Sequence, residues 1–330
     1  MRFAFEDHQF AVRDTVGSLL EKRCDADALS QTWKSGSAEP LRPLWHELAA
    51  VGVQGLLAPE SAGGSGLDGL TMAVVLAECG RAAVPLPVME TAAVAVPVIA
   101  AAGDPSGLLP AIADGSVLVT VASGASRYAP SSSIADFFVV PVEDGSVLLG
   151  RDEVELRPVD SVDRLRDLAS VTPTASGVRV AGPGAVEALA ALAASAVLLG
   201  LGRHLVSATV EYVKERKQFG VPVGSFQAVK HQLADAHMRM EFAAPVVWAA
   251  SHECYPGAAA GGPARMVSMA KAMSSDAAGF AARVALQCHG AMGYTDDYPL
   301  HMWLKRVWCL AAAHGSASAH RSVVATQLGI

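Results

Sequence analysis

The sequence predicts a mostly α-helical protein with a small β domain set between two helical parts. Three observations predict it. Apolar residues recur at helical spacing through the first 112 residues or so, Val- and Phe-rich runs punctuated by Asp-Gly fill 113–182, and long amphipathic segments joined by short turns fill 183–330. At 330 residues, 52% of them hydrophobic, the chain is long enough for two or three domains around a large core.

Each element follows from its local pattern. Residues 6–23 read as a helix with Phe10, Val12, Val16, Leu19 and Leu20 near one face, and 41–52 as another that stops at Gly52. The Gly- and Ser-rich PESAGGSGLDG at 59–69 is a loop. Residues 70–83 and 89–103 are further helices, the second interrupted or delayed by Pro97. From Gly115 the runs SVLVTVAS, DFFVVPVEDGSVLLG, EVELRPV and SGVRVAG read as strands, and Asp144-Gly145 between two apolar runs signals a hairpin. One long helix is expected over 184–218, ending at Phe219-Gly220 with Pro222 beyond it. Others follow over 226–251, with Val229, Leu233 and Met240 inward, and over 264–288, with Met266, Met269, Met273, Phe280 and Val284 at three–four spacing. A fourth follows Pro299 and a last one covers 316–328, which together make an antiparallel bundle.

Composition narrows the function classes. Only 17% of residues are charged, a low surface charge that suggests cover by another subunit. The net charge of −7, the pI near 5.8 and the lack of a basic tract argue against nucleic acid or an anionic membrane as partner. The N-terminus lacks the pattern of a signal peptide, and the apolar run at 188–202 is too short for a span of about 20 residues. Five widely spaced cysteines without metal spacing read as reduced thiols in a cytoplasm, with no metal site expected.

Two stretches stand out. In RKQFGVPVGSFQAVKHQLAD (216–235), cations close a helix before a Phe-Gly turn, an arrangement that suits a helix dipole without further purpose. In LQCHGAMGYTDDYPLHMWLKR (286–306), Gly290 and Gly293 open the backbone after Gln287. Such a turn lets backbone N–H groups approach a phosphate, or simply turns the chain.

In this order and on this helical background, the two stretches closely resemble the acyl-CoA dehydrogenase family. Its Arg-Lys-x-Phe-Gly, Phe-Gln and Leu-Ala-Asp signature recurs as Arg216-Lys217-Gln218-Phe219-Gly220, Phe226-Gln227 and Leu233-Ala234-Asp235. Its Gln-x-x-Gly-Gly-x-Gly-Tyr turn reads here Gln287-Cys288-His289-Gly290-Ala291-Met292-Gly293-Tyr294, followed by Asp296-Asp297-Tyr298-Pro299. Trp45, Leu48, Gly52, PESAGGSGL and AECGRA agree in the first part, so the resemblance covers roughly 1–112 and 183–330. It implies a helical N-terminal domain (1–112), a shortened middle β domain (113–182) and a C-terminal bundle (183–330) that contacts flavin and oligomerises. It also implies an FAD site shared across a subunit interface. Arg216 would pair with the diphosphate, Phe219 pack on the cofactor and Gln227 and Gln287 hydrogen-bond it, within a shell of Lys217, Gln218, Phe226, Cys288, His289, Gly290, Ala291 and Gly293.

The departures from the family matter equally. Counted from Gln287, the position of the family's Glu base is His314, in His314-Gly315-Ser316; for members that carry the Glu on the long helix, the place is Ala190 or Ala191, with Glu187 one turn off register. The flavin-facing Thr-Glu-Pro-x-x-Gly-Ser-Asp loop and Trp-Ile-Thr-like strand are absent, TVASGASRYAPSSS (120–133) being the nearest substitute. The pattern resembles the smaller subunit of two-subunit α2β2 acyl-CoA dehydrogenases of actinobacteria. That implies a larger homologue as partner, a bulky or steroid-derived acyl-CoA substrate and an electron-transfer flavoprotein as acceptor. The alternatives are a stand-alone homo-oligomer with His314 or Glu187 as base, and a non-catalytic acyl-CoA-binding scaffold.

Overall fold

The computed structural model describes residues 4–255 and 264–330. Four helices make the frame of the first part: α1 (Asp7–Arg23), α2 (Ala26–Ser35), α3 (Arg42–Ala50) and α4 (Gly69–Arg81). Their starts are chemically marked. Asp25 accepts from the Ala28 N–H and Asp68 from the Thr71 N–H, each satisfying a free donor of a first turn. The α2 helix was not foreseen; its Asp25 cap and the left-handed Gly36 that ends it were the available signals. Next come α5 (Val88–Glu90), a π-helical turn (Thr91–Ala95) and α6 (Val96–Ala101) as one continuous helical run. Pro97, expected to interrupt or delay that run, sits within it, in the first turn of α6 directly after the π turn. A short α7 (Leu109–Ala113) closes this part.

Seven strands follow. One sheet has the order β1 (Val119–Val121), β3 (Phe137–Val142), β4 (Gly145–Gly150), β7 (Val178–Ala181), and a second has the order β2 (Tyr128–Ala129), β6 (Ala169–Pro173), β5 (Val154–Pro158). Only β1 and β3 pair in parallel among the described strands. The expected hairpin is present between β3 and β4, with Val142 opposite Gly145, so the two turn residues are Glu143 and Asp144. Strand β6 was missed because ASVTP is short and mixed in polarity.

The C-terminal bundle consists of α8 (Ala185–Glu215), α9 (Gln227–Cys254), α10 (Ala264–His289), α11 (Leu300–Ala312) and α12 (Ala317–Leu328). Helix α8 is long and apolar enough to cross a membrane, and it is instead the buried axis of the protein. Its small residues allow close approach to α4. A Cβ on Gly200 would stand 1.8 Å from the Ala77 carbonyl oxygen, and one on Gly80 would stand 2.1 Å from that of Val197. Along the methionine stripe of α10, Val284 is buried, Met273 is exposed and Met266, Met269 and Phe280 are half-exposed. One hydrophobic cluster runs from Val16 through Phe138 to Leu310, so all three parts share a core.

Candidate functional site

The long helix stops at Glu215, three residues earlier than the sequence suggests, because the chain turns into a hairpin. Strands β8 (Lys217–Gln218) and β9 (Val221–Pro222) pair Lys217 with Pro222 and Gln218 with Val221. Phe219 and Gly220 are then the two-residue loop, with φ of 52° and 79°. Two positive φ values give the primed turn that matches strand twist. Glycine adopts this conformation freely, whereas a phenylalanine there is strained by about 1–2 kcal/mol. The Phe219 ring is also 93% exposed, with only an edge-on neighbour in Phe226, 6.4 Å away between centroids. A strained, exposed aromatic ring serves no purpose in packing this chain.

The flanking groups are equally open. Arg216, Lys217, Gln218, Phe226 and Gln227 are exposed, and Arg216 has no ion-pair partner among the described residues. The Arg216 carbonyl accepts from the Val223 N–H at 2.7 Å, which fixes the return of the chain into α9. Gln227 lies 3.5 Å from the His231 ring nitrogen. At the end of α10, Gln287, Gly290 and Ala291 are exposed, Cys288 is half-buried, and His289 and Gly293 are buried. The His289 ring stacks on Tyr212 of α8 at 4.1 Å, and Tyr298 packs on both. This aromatic clamp ties the turn at 287–294 to the end of α8, four residues before Arg216. The two stretches therefore share one end of the bundle and face outward.

The position of the family's base is built differently. His314 lies between α11 and α12 with φ of 56°, followed by Gly315 with φ of 93°. The buried Lys271 ammonium donates to Ser275 Oγ, the Ala311 carbonyl and the Gly315 carbonyl at 3.0–3.2 Å. His320 lies 2.8 Å from the His314 carbonyl, and Ser316 caps α12. The loop is thus fixed, yet both His314 ring nitrogens are buried without a partner. Burial, then the charges of Arg166 and Lys271, hold its pKa at about 3. Such an imidazole is neutral and a weak base at any ordinary pH. Glu187 is exposed on the first turn of α8 and faces no interior site.

Sequence reasoning missed the charged groups beside His314. Arg306 of α11 donates through Nε to the fully buried Asp163 and through Nη1 to the Val84 carbonyl at 3.1 Å, while its Nη2 is buried with no partner. Glu90 is buried, and burial raises its pKa against the lowering effect of Arg166 and Arg306. Glu90, Ser131, Arg166 and Arg306 line a cavity of only about 40 Å³ where the N-terminal helices, the sheets and the bundle meet. Its one visible sequence signal is that Glu90 is the sole charged residue between 84 and 103. Among the described residues no cluster of His, Cys, Asp and Glu could hold a metal, and all five cysteines are unpaired.

Fold and motifs together define a flavoprotein-type dehydrogenase scaffold. The chain belongs to the acyl-CoA dehydrogenase family: the family's N-terminal domain model matches residues 6–116 and its C-terminal domain model matches residues 185–329. It is 33% identical to the acyl-CoA dehydrogenase IpdE2 of Mycobacterium tuberculosis over 93% of this chain and 91% of that protein. Among solved structures it resembles the Tcur3481-Tcur3483 steroid ACAD G363A variant at 27% identity, with a TM-score of 0.85 and 98% of both chains covered. The ChsE4-ChsE5 complex of M. tuberculosis shares the fold at 22% identity and a TM-score of 0.87, over 100% of this chain and 99% of that one. FAD is the cofactor of this family. The outward edge fits part of it: a free guanidinium suits a diphosphate, and the exposed ring and amides suit a nucleotide. The 40 Å³ interior does not fit the flavin ring, since ligand pockets run to roughly 300 Å³ or more.

Proposed function

We propose that this chain is the site-completing subunit of a heteromeric FAD-dependent acyl-CoA dehydrogenase. A larger homologue carries the base and the flavin-ring pocket, in an α2β2 assembly that introduces an α,β double bond into a bulky or steroid-derived acyl-CoA. The observation that carries this reading is the contrast within one molecule. The edge with Arg216, Phe219, Gln227 and Gln287 is exposed, while His314 keeps both ring nitrogens buried and its pKa at about 3. Likeness to the acyl-CoA dehydrogenase IpdE2 supports an acyl-CoA substrate, and likeness to the Tcur3481-Tcur3483 steroid ACAD supports a steroid-derived one.

In this reading the chain does the work of binding and orientation. Arg216 pairs with the diphosphate, and Phe219 packs against the cofactor once the subunits close, which removes its ring from water. Gln227 and Gln287 hydrogen-bond the nucleotide. Lys217, Gln218 and Phe226 shape the hairpin, and Cys288, His289, Gly290, Ala291 and Gly293 the facing turn. FAD held by Arg216, Phe219, Gln227 and Gln287 would supply the hydride acceptor for the β-carbon, and the base of the larger homologue would take the α-proton. The division into 1–112, 113–182 and 183–330, a cytoplasmic setting and an electron-transfer flavoprotein as acceptor belong to the same proposal. The stand-alone alternative would need His314, whose ring nitrogens are buried, or Glu187, which is exposed on the first turn of α8.

The test is the visible spectrum of the chain purified alone and after co-expression with a larger homologue. Flavin absorbance only in the co-expressed complex supports the reading; a full flavin complement on this chain alone refutes it.

A further inference from the structure

We infer that Glu90, Asp163, Arg166 and Arg306 form an ionic lock that seals this chain's own centre, so that it admits neither a flavin ring nor an acyl chain. The inference rests on the proposed function in one respect, that His314 marks the place of chemistry.

Four observations carry it. The lock residues come from all three parts: Glu90 from the N-terminal helices, Asp163 and Arg166 from the loop between β5 and β6, and Arg306 from α11. Arg306 reaches both other parts at once, through Asp163 and the Val84 carbonyl. Arg166 lines the cavity beside Glu90, and its charge also lowers the His314 pKa, so the same guanidinium acts on both. The Arg166 carbonyl, in turn, accepts from the Ser131 N–H at 2.7 Å, binding the 120–133 segment to the same point. That segment stands where relatives present the flavin-facing loop.

Within the lock two groups remain open to each other's cavity. Arg306 Nη2 has no partner, and among the described residues Glu90 forms no ion pair with either arginine. Buried groups of this kind are satisfied by ordered water. A volume near 40 Å³ holds one or two waters and nothing larger. Among the described residues the direct ion pair of the lock is that of Arg306 and Asp163, with Glu90 and Arg166 beside it along the cavity wall. Breaking such a pair leaves an uncompensated buried charge and loosens every segment that it ties.

Two measurements on the purified chain test this. The first is hydrogen exchange in wild type, Arg306→Met and, should that variant fail to fold, Arg306→Lys, which keeps the charge but loses the fork. Protection should fall together in 84–90, 161–167 and 303–310, by about fivefold or more. No change, or a fall confined to 303–310, overturns the lock. The second is fluorescence titration with lumiflavin, a bare flavin ring. The wild-type chain should show no saturable quenching, and saturable one-to-one binding overturns the seal. If co-expressed complex carries flavin while the lone chain binds lumiflavin, the lock is wrong and the proposed function stands. If the complex carries no flavin while the exchange result holds, the reverse is true.

Discussion

Replacing Phe219 by glycine should raise the stability of the isolated chain and lower flavin retention in the assembled enzyme. Phe219 occupies a left-handed turn position with φ of 52°. Glycine relieves about 1–2 kcal/mol of backbone strain there. It also adds about 0.5–1 kcal/mol of unfolded-state entropy, which offsets part of the gain. Little packing is lost, because the ring is 93% exposed and meets Phe226 only edge-on. The net stabilisation is about 0.5–1 kcal/mol, a rise in melting temperature of about 1–3 °C for a chain of this size. In the complex the same substitution removes a ring that becomes buried against the cofactor. Burial of a phenylalanine contributes about 1.5–3 kcal/mol, so FAD affinity should fall about ten- to a hundredfold. Thermal scans of the lone chain and flavin release from the complex measure the two effects. A destabilised chain, or unchanged flavin affinity, would refute the argument that strain at this turn serves the cofactor.

Arg216→Ala removes an unpaired guanidinium and should weaken FAD retention by about 1.5–3 kcal/mol, with a smaller salt dependence of binding, measured by dialysis of the complex at several ionic strengths. Gly200→Ala would ordinarily favour a helix by about 1 kcal/mol, but its Cβ would stand 1.8 Å from the Ala77 carbonyl. A net loss of about 2 kcal/mol or more in denaturant unfolding is expected, and a gain would contradict the close α4–α8 packing. His314, held at about 3 by burial and by Arg166 and Lys271, binds a proton more weakly folded than unfolded. Its contribution to stability is complete above about pH 6.5 and drains as pH falls toward 3. His314→Met should therefore flatten the acid side of the stability profile by up to about 1.4 kcal/mol per pH unit. Lys271, lowered to about 8 by burial, gives the opposite limb. Its folded form loses the proton first, so its contribution grows as pH rises from 8 toward 10.5, and Lys271→Met should remove that rise.

The helical frame was legible because periodicity and caps act locally. Pro222 and the Phe-Gly pair marked the end of α8, and Gln227 the start of α9. The hairpin between them was not legible, since two-residue strands leave no alternation to read and only the two positive φ values define the turn. The methionine stripe of α10 had helical spacing but did not say which side it faced; neighbouring α8 and α9 took the Ala and Val face instead. The motif residues stood out by order and spacing, whereas the lock did not. Glu90, Arg166 and Arg306 lie on three separate segments, and only the tertiary fold brings them to one cavity, with Asp163 paired to Arg306 behind it. His314 was found by position, but its low basicity depends first on burial and then on the charges of Arg166 and Lys271, which are distant in sequence.

The most direct test of the central claim is a count of FAD per assembled complex by native mass spectrometry, with this chain and the larger homologue at known stoichiometry. One FAD for each pair of unlike chains, and none on this chain alone, is the predicted result. One FAD for every chain, or a flavin-loaded oligomer of this chain by itself, would contradict it.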